Sequence, residues 1–176
     1  IYFLPVLMDA LAREAPGVTL RCAPVADAAL REDMASGRVD LALGSLPQLQ
    51  AGFFQQALFR QRYVALMRAG HPLAARKTLT AAQYRQAAHV RVISANTGHG
   101  QVEAALERLG VARTVQLTVP HYVALGHVLG STDLVATVPE RFAERACAPF
   151  GLVARPLTLK LPGSTIAQLW HAHLHR

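Results

Sequence analysis

The five residues Asn96-Thr97-Gly98-His99-Gly100 have the types and spacing of an anion-binding turn. They follow a short apolar run, His89-Val90-Arg91-Val92-Ile93-Ser94, and precede a helical pattern that starts near Gln101. Strand, glycine-rich turn and helix in that order leave backbone N–H groups unpaired at the helix start, where they can hold an anion. His99 adds a side chain that donates a hydrogen bond and titrates near neutral pH. The chemistry is capture of a small carboxylate or similar anion; the same pattern also serves as a plain connection. Other constellations are weaker. Ser94 and His99 pair a hydroxyl with a base, but no orienting acid accompanies them. There is no GxSxG, no Walker sequence, no Cys/His nucleophile arrangement and no suggestive pair of carboxylates, so no catalysis is expected. His171, His173 and His175 alternate and would share one face of a strand, a spacing compatible with a metal. No carboxylate or cysteine stands close by, so the reading is a solvated strand end, without metal or cofactor. His121 and His127 read as hydrogen-bonded structural residues.

The elements that must position such a turn come next. The chain has 176 residues, 52% of them hydrophobic and 16% charged, which describes a folded chain of one domain or two small lobes. The net charge of +7 points to anionic partners. The basic residues stand singly, as at Arg13, Arg38, Arg60, Arg91 and Arg113, without the clustering of a nucleic-acid surface. Cys22 and Cys147 lack metal-ligand spacing and read as buried free thiols in a reducing compartment. No stretch has the continuous apolar character of a membrane span. The chain begins at Ile1-Tyr2-Phe3 without a basic leader, inside what already reads as a helix, so a fragment is expected.

Leu4, Leu7, Met8, Leu11 and Ala15 recur at helical spacing up to Pro16-Gly17. A strand is expected over 18–25, then a helix capped by Asp27 and ended by Gly37, then a buried strand over 39–43. The pattern restarts at Tyr63–Met67. Thr80 and Gln83 form a capping box. Strands over 89–94, 115–119 and 134–138 alternate with helices, the last opened by a second capping box, Thr137 with Glu140. Thr165 to His173 reads as a closing strand that crosses back to the first half. Ligands in such architectures bind outside the carboxyl ends of the strands, where the Asn96–Gly100 turn falls.

Ser36-Gly37-Arg38-Val39-Asp40-Leu41-Ala42-Leu43-Gly44 resembles a signature of the effector-binding domain of LysR-type transcriptional regulators. The Leu4-Pro5 helix and Gly70-His71-Pro72-Leu73-Ala74 match in order and spacing. His89-Val90, Asn96–Gly100, Val119-Pro120-His121-Tyr122, Thr132–Arg141 and Trp170-His171 are similar to the subgroup regulating aromatic catabolism and nodulation, above all its salicylate- and dinitrotoluene-responsive activators. The resemblance implies an α/β, type 2 periplasmic-binding-protein-like fold: two Rossmann-like lobes joined by two crossover strands. Lobe I is expected over 1–61 with 166–176, and lobe II over 62–165. It further implies a cytoplasmic, non-enzymatic regulator sensing a small aromatic effector in the interlobe cleft. The regulator would form a homodimer or homotetramer and bind DNA through a winged helix-turn-helix that this chain does not contain. A solute-binding protein of a transport system shares the fold and is the competing reading.

By the same resemblance, Tyr2 and Phe3 offer aromatic faces to the effector, and Ala26 and Asp27 lie at a turn whose backbone contacts it. Asp27 itself would oppose a carboxylate and fits helix capping better. Gln61, on the first crossover, is a polar contact. His99 faces the cleft, supplemented by Asn96 and Thr97, which also shape the turn. Arg141 either holds the effector's carboxylate or makes an interlobe ion pair, and Ile166 on the return crossover is an apolar wall.

Overall fold

A computed structural model describes residues 3–24, 26–46, 51–93 and 99–174; of Asp27 and His99 it describes the backbone only. The first half opens with helices α1 (Phe3–Glu14) and α2 (Asp27–Ala35) and the short strand β1 (Ala42–Gly44). A long strand β2 (Phe53–Gln61) leads directly into β3 (Tyr63–Arg68). Then follow α3 (Ala81–Gln86), β4 (Ala88–Val92), α4 (His99–Arg108), β5 (Thr114–Val119), α5 (Leu125–Gly130), β6 (Leu134–Pro139), α6 (Glu140–Phe150) and β7 (Leu152–Arg155). The chain returns through β8 (Ser164–His171) and a turn of 3-10 helix over Ala172–Leu174.

The strands form two sheets, one in the order β1-β8-β2 and one in the order β5-β4-β6-β3-β7. The larger sheet is covered on both faces, which explains why β3 and β6 read as continuous apolar runs. On one face Val64, Leu66, Val90, Val92, Ala136 and Val138 pack under α5 and α6, against Leu125, Leu129, Phe142 and Ala146. On the other, Tyr63 shares a cluster with Tyr84 of α3 and with Val102 and Leu106 of α4. The three-stranded sheet has a smaller core, Leu30 and Met34 of α2 against Ala42 and Leu169. Its pairings are antiparallel because β8 runs back between β1 and β2. Two sheets, mixed with helices and linked by β2 and β8, make the α/β architecture expected of a type 2 periplasmic-binding-protein-like fold.

Several local expectations need correction. Residues 18–24 form no strand: Val18 and Leu20 are exposed, and no described strand lies against the free edge of β1 for them to pair with. The strand expected over 39–43 is only Ala42–Gly44, with Leu41 and Leu43 exposed for the same reason. Ala26, not Asp27, is the N-cap of α2. The Thr80–Gln83 capping box forms. The second does not: α6 starts at Glu140 after Pro139 without a side-chain cap, and Thr137 turns inward to a buried tyrosine. Helix α4 starts at His99, two residues ahead of the expected Gln101. Cys22 is exposed and Cys147 half-buried, so neither is the fully buried thiol expected.

A polar network inside the larger half holds α4 in place. Arg113 donates to Glu103 of α4 at 2.5 Å and to the Tyr84 hydroxyl at 3.1 Å. The phenolic proton is thereby left for Thr137 Oγ1, 2.5 Å away on β6. His89 Nε2 meets the Tyr84 carbonyl at 2.7 Å from β4. The Arg113 side chain is 8% exposed, so removing it takes the buried cation from Glu103 and a donor from the Tyr84 hydroxyl. Arg113→Met is expected to cost about 3 kcal/mol in urea unfolding, and adding Glu103→Leu to recover part of that loss, since a buried pair is costly to break but replaceable. Burial pushes the His89 imidazole below its ordinary range; the Tyr84 carbonyl opposes this and the Arg113 charge reinforces it. An unfolded chain takes up a proton as pH falls through about 6.5, whereas buried His89 resists until lower pH. The stability contributed by His89 is thus present above that pH and lost as pH falls below it. Thermal melts from pH 7.5 to 5.5 should show a steeper decline for the native chain than for His89→Gln.

Candidate functional site

The direction of the strands decides where a site can form. β4 runs parallel to both β5 and β6, and Val92 stands level with Val119. Ile93 extends the same ladder through its N–H to the Val119 carbonyl. The carboxyl ends of the three strands therefore share one edge. β3 is antiparallel to β6 with Tyr63 opposite Pro139, so its first residue meets the same edge. From β4 the chain crosses to β5 on one side; after β6 it goes to β7 on the other. The crevice between β4 and β6 is thus a topological switch point, flanked by the starts of α4 and α6 from opposite faces of the sheet. Both helices direct the positive ends of their dipoles there.

The two crossover strands enter at this edge. Gln61 pairs with Ser164, and Phe59 with Ile166. A bulge at Leu58 shifts the register; without it Phe59 would stand opposite Thr165. Directly opposed residues of an antiparallel pair project from the same face, and so do alternate residues along a strand. Phe59, Gln61, Ser164 and Ile166 therefore share one face of the ribbon. Arg60 and Thr165 lie on the other and are exposed. Gly163 allows the close approach at the ribbon's start, since a Cβ there would lie 2.8 Å from the Gln61 carbonyl oxygen.

Arg141, in the first turn of α6, places its guanidinium carbon 4.4 Å from the centre of the Phe59 ring. No carboxylate among the described residues pairs with it. Gln61 is buried, and its amide donates to the Tyr63 hydroxyl at 3.3 Å. The Arg62 carbonyl accepts from the N–H of Glu140 at 2.9 Å, tying the ribbon's end to the start of α6. The result is a half-buried aromatic face, an aliphatic neighbour, a carboxamide and a mobile-length cation at the carboxyl edge of a sheet. That set can stack a flat ring and receive a negative charge.

Of the residues singled out from sequence, the structure brings Gln61, Ile166 and Arg141 into this cluster. His99 stands at the same edge as the first residue of α4. Phe3 opens α1 half-buried and Ala26 caps α2; no hydrogen bond, ion pair or ring contact joins either to the cluster among the described residues. Asp27 is the first residue of α2. Tyr2, Asn96 and Thr97, and the side chains of Asp27 and His99, lie outside the described residues. Phe59 and Ser164 were missed. Their only signal was alternation within 53–61 and after Gly163, which the bulge and a Pro-Gly-Ser turn pattern obscure. His171 and His173 do meet, through their Nδ1 atoms, across the turn that ends β8, and Phe53 packs edge-on against His171. No group of three or more metal-ligating side chains occurs among the described residues. A shallow groove of 340 Å³ lined by Ala105, Arg108, Leu109, Lys160, Leu161 and Pro162 lies at the other end of α4, away from the crevice. Among the described residues no helix is long and apolar enough to cross a membrane.

Comparison with known proteins agrees with this architecture. Over its 176 residues the chain is 49% identical to the HTH-type transcriptional activator NagR of a Ralstonia species and 46% identical to the HTH-type transcriptional activator NahR of Pseudomonas putida. Each alignment takes in all of this chain and 58% of the relative, so the chain spans little more than half the length of either. The crystal structure of a probable transcriptional regulator of Pseudomonas aeruginosa, PA0477, superposes with a TM-score of 0.82 at 32% identity, over 98% of this chain and 57% of that one. These relatives are regulators rather than enzymes or transport components, which sets the solute-binding reading aside. Residues 1–176 match the family described as the LysR substrate binding domain, and the chain belongs to that family of transcriptional regulators.

Proposed function

We propose that this chain is the inducer-sensing domain of a LysR-type regulator, and that its effector is a small aromatic acid or nitroaromatic of the salicylate, benzoate or dinitrotoluene kind. The observation that carries the reading is the ribbon face: Phe59 and Ile166 for a ring, Gln61 for a polar group and Arg141 for a charge, all at the carboxyl edge of the larger sheet. Arg141 holds its guanidinium over Phe59, within reach of an incoming carboxylate. By the family resemblance His99, Asn96, Thr97, Tyr2, Phe3, Ala26 and Asp27 are further effector contacts. Residues 1–61 with 166–176 act as one lobe and 62–165 as the other. The effector biases the lobes toward one arrangement by binding that arrangement more tightly than the other, which is the condition for a ligand to shift an equilibrium. The regulator works in the cytoplasm as a homodimer or homotetramer, and reaches DNA through a winged helix-turn-helix outside this sequence.

Calorimetric titration of the full-length protein with benzoate, salicylate, 2,4-dinitrotoluene and a flavonoid tests the reading. Saturable binding of at least one aromatic compound is expected; no heat and no thermal stabilisation from any of them would sink it. Arg141→Met separates charge from shape. It should weaken carboxylates on the order of tenfold or more, the loss of a hydrogen bond to a charged group, and leave uncharged dinitrotoluene within about twofold. His99→Ala should lower affinity for the same acid; unchanged affinity would remove His99 from the site.

A further inference from the structure

Ser164 is the first residue of β8, 7% exposed, and its hydroxyl oxygen is sealed from solvent without a hydrogen-bond partner among the described residues. A buried hydroxyl in that state costs stability, and folded proteins seldom keep one where nothing uses it. Its setting makes the orphan specific. Ser164 stands directly opposite Gln61 on the crossover ribbon, and two residues before Ile166, on the face where Arg141 covers Phe59. Gln61 already gives one of its two amide N–H groups to the Tyr63 hydroxyl, whereas the Ser164 hydroxyl bonds nothing among the described residues. The hydroxyl both donates and accepts, whereas Arg141 can only donate.

We propose that Ser164 is a specificity-determining residue: its hydroxyl hydrogen-bonds a polar ring substituent of the bound aromatic acid while Arg141 takes the carboxylate. This rests on the aromatic-effector reading above. A plain benzoate leaves the hydroxyl unsatisfied, and a ring bearing a hydroxyl satisfies it. Sites that offer a buried hydrogen-bonding group discriminate against ligands lacking the complement, because the group is then left unpaired. Ser164 thus selects among effectors that Phe59, Ile166 and Arg141 alone would accept alike.

The test compares benzoate with 2-, 3- and 4-hydroxybenzoate by calorimetry on the full-length native protein and on Ser164→Ala and Ser164→Thr. In the native protein at least one hydroxybenzoate should bind on the order of tenfold more tightly than benzoate. Ser164→Ala should collapse that preference to within about twofold with benzoate affinity unchanged, and Ser164→Thr, which keeps the hydroxyl, should restore it. Without ligand, Ser164→Ala should melt no lower than the native protein, because the lost hydroxyl bonds nothing; a structural hydroxyl would behave in the opposite way. A preference that survives Ser164→Ala, an equal loss for benzoate and hydroxybenzoates, or a lower unliganded melting temperature overturns the assignment of Ser164 alone. If the native protein binds none of the four acids, the aromatic-acid reading falls and the assignment falls with it.

Discussion

The antiparallel pairing of β2 with β8 is the constraint on which the rest of the molecule depends. It runs from Phe53 opposite His171 to Gln61 opposite Ser164 and carries the chain from the smaller sheet to the edge of the larger one. One end of this ribbon supports the core under α2; the other ends in β3, whose residues are buried on both faces. A slip of one residue in such a pairing would turn every side chain to the other face. The bulge at Leu58 performs that adjustment locally. It allows Ala57 to remain paired with Ala167 while Phe59 and Gln61 face Ile166 and Ser164.

The larger half supplies a rigid frame for this ribbon. Its sheet is fully covered, and the Tyr84–Arg113–Glu103 network with Thr137 and His89 ties α3, α4, β4 and β6 together by hydrogen bonds inside the apolar layer. Helix α4 is the element on which His99 rides, so the network sets where the start of that helix stands relative to β6 and Arg141. The smaller half is built differently. α1 buries no residue completely, and Leu4, Val6 and Met8 are exposed along it. With Val18, Leu20, Leu41 and Leu43 also exposed, apolar surface there is left uncovered among the described residues.

Legibility in the sequence followed burial. β3, β4 and β6 are covered on both faces, and their apolar runs were readable directly. The helices α4 and α6 were readable from 3.6-residue spacing, and the Thr80–Gln83 box from its own chemistry. β2 was not readable as a strand, because it is mostly exposed and rich in glutamine; its residues belong there through pairing with β8, over a hundred positions away. β7 is four residues long at a sheet edge, too short to carry a period. The strand expected over 18–25 shows the converse. Its propensity was real, but propensity without a neighbour to hydrogen-bond leaves an exposed segment.

By itself the sequence determined the class of fold and the family, because apolar periodicity, caps and short ordered motifs are local properties of the chain. It also supplied Gln61, Arg141 and Ile166 as separate candidates. Only the tertiary structure decided that these three share one cluster with Phe59 and Ser164, and that Arg141 lies over an aromatic ring. The physical reason is register. Which side chains face one another across β2 and β8 is set by a bulge and by pairing between distant residues, and neither leaves a mark on the local pattern.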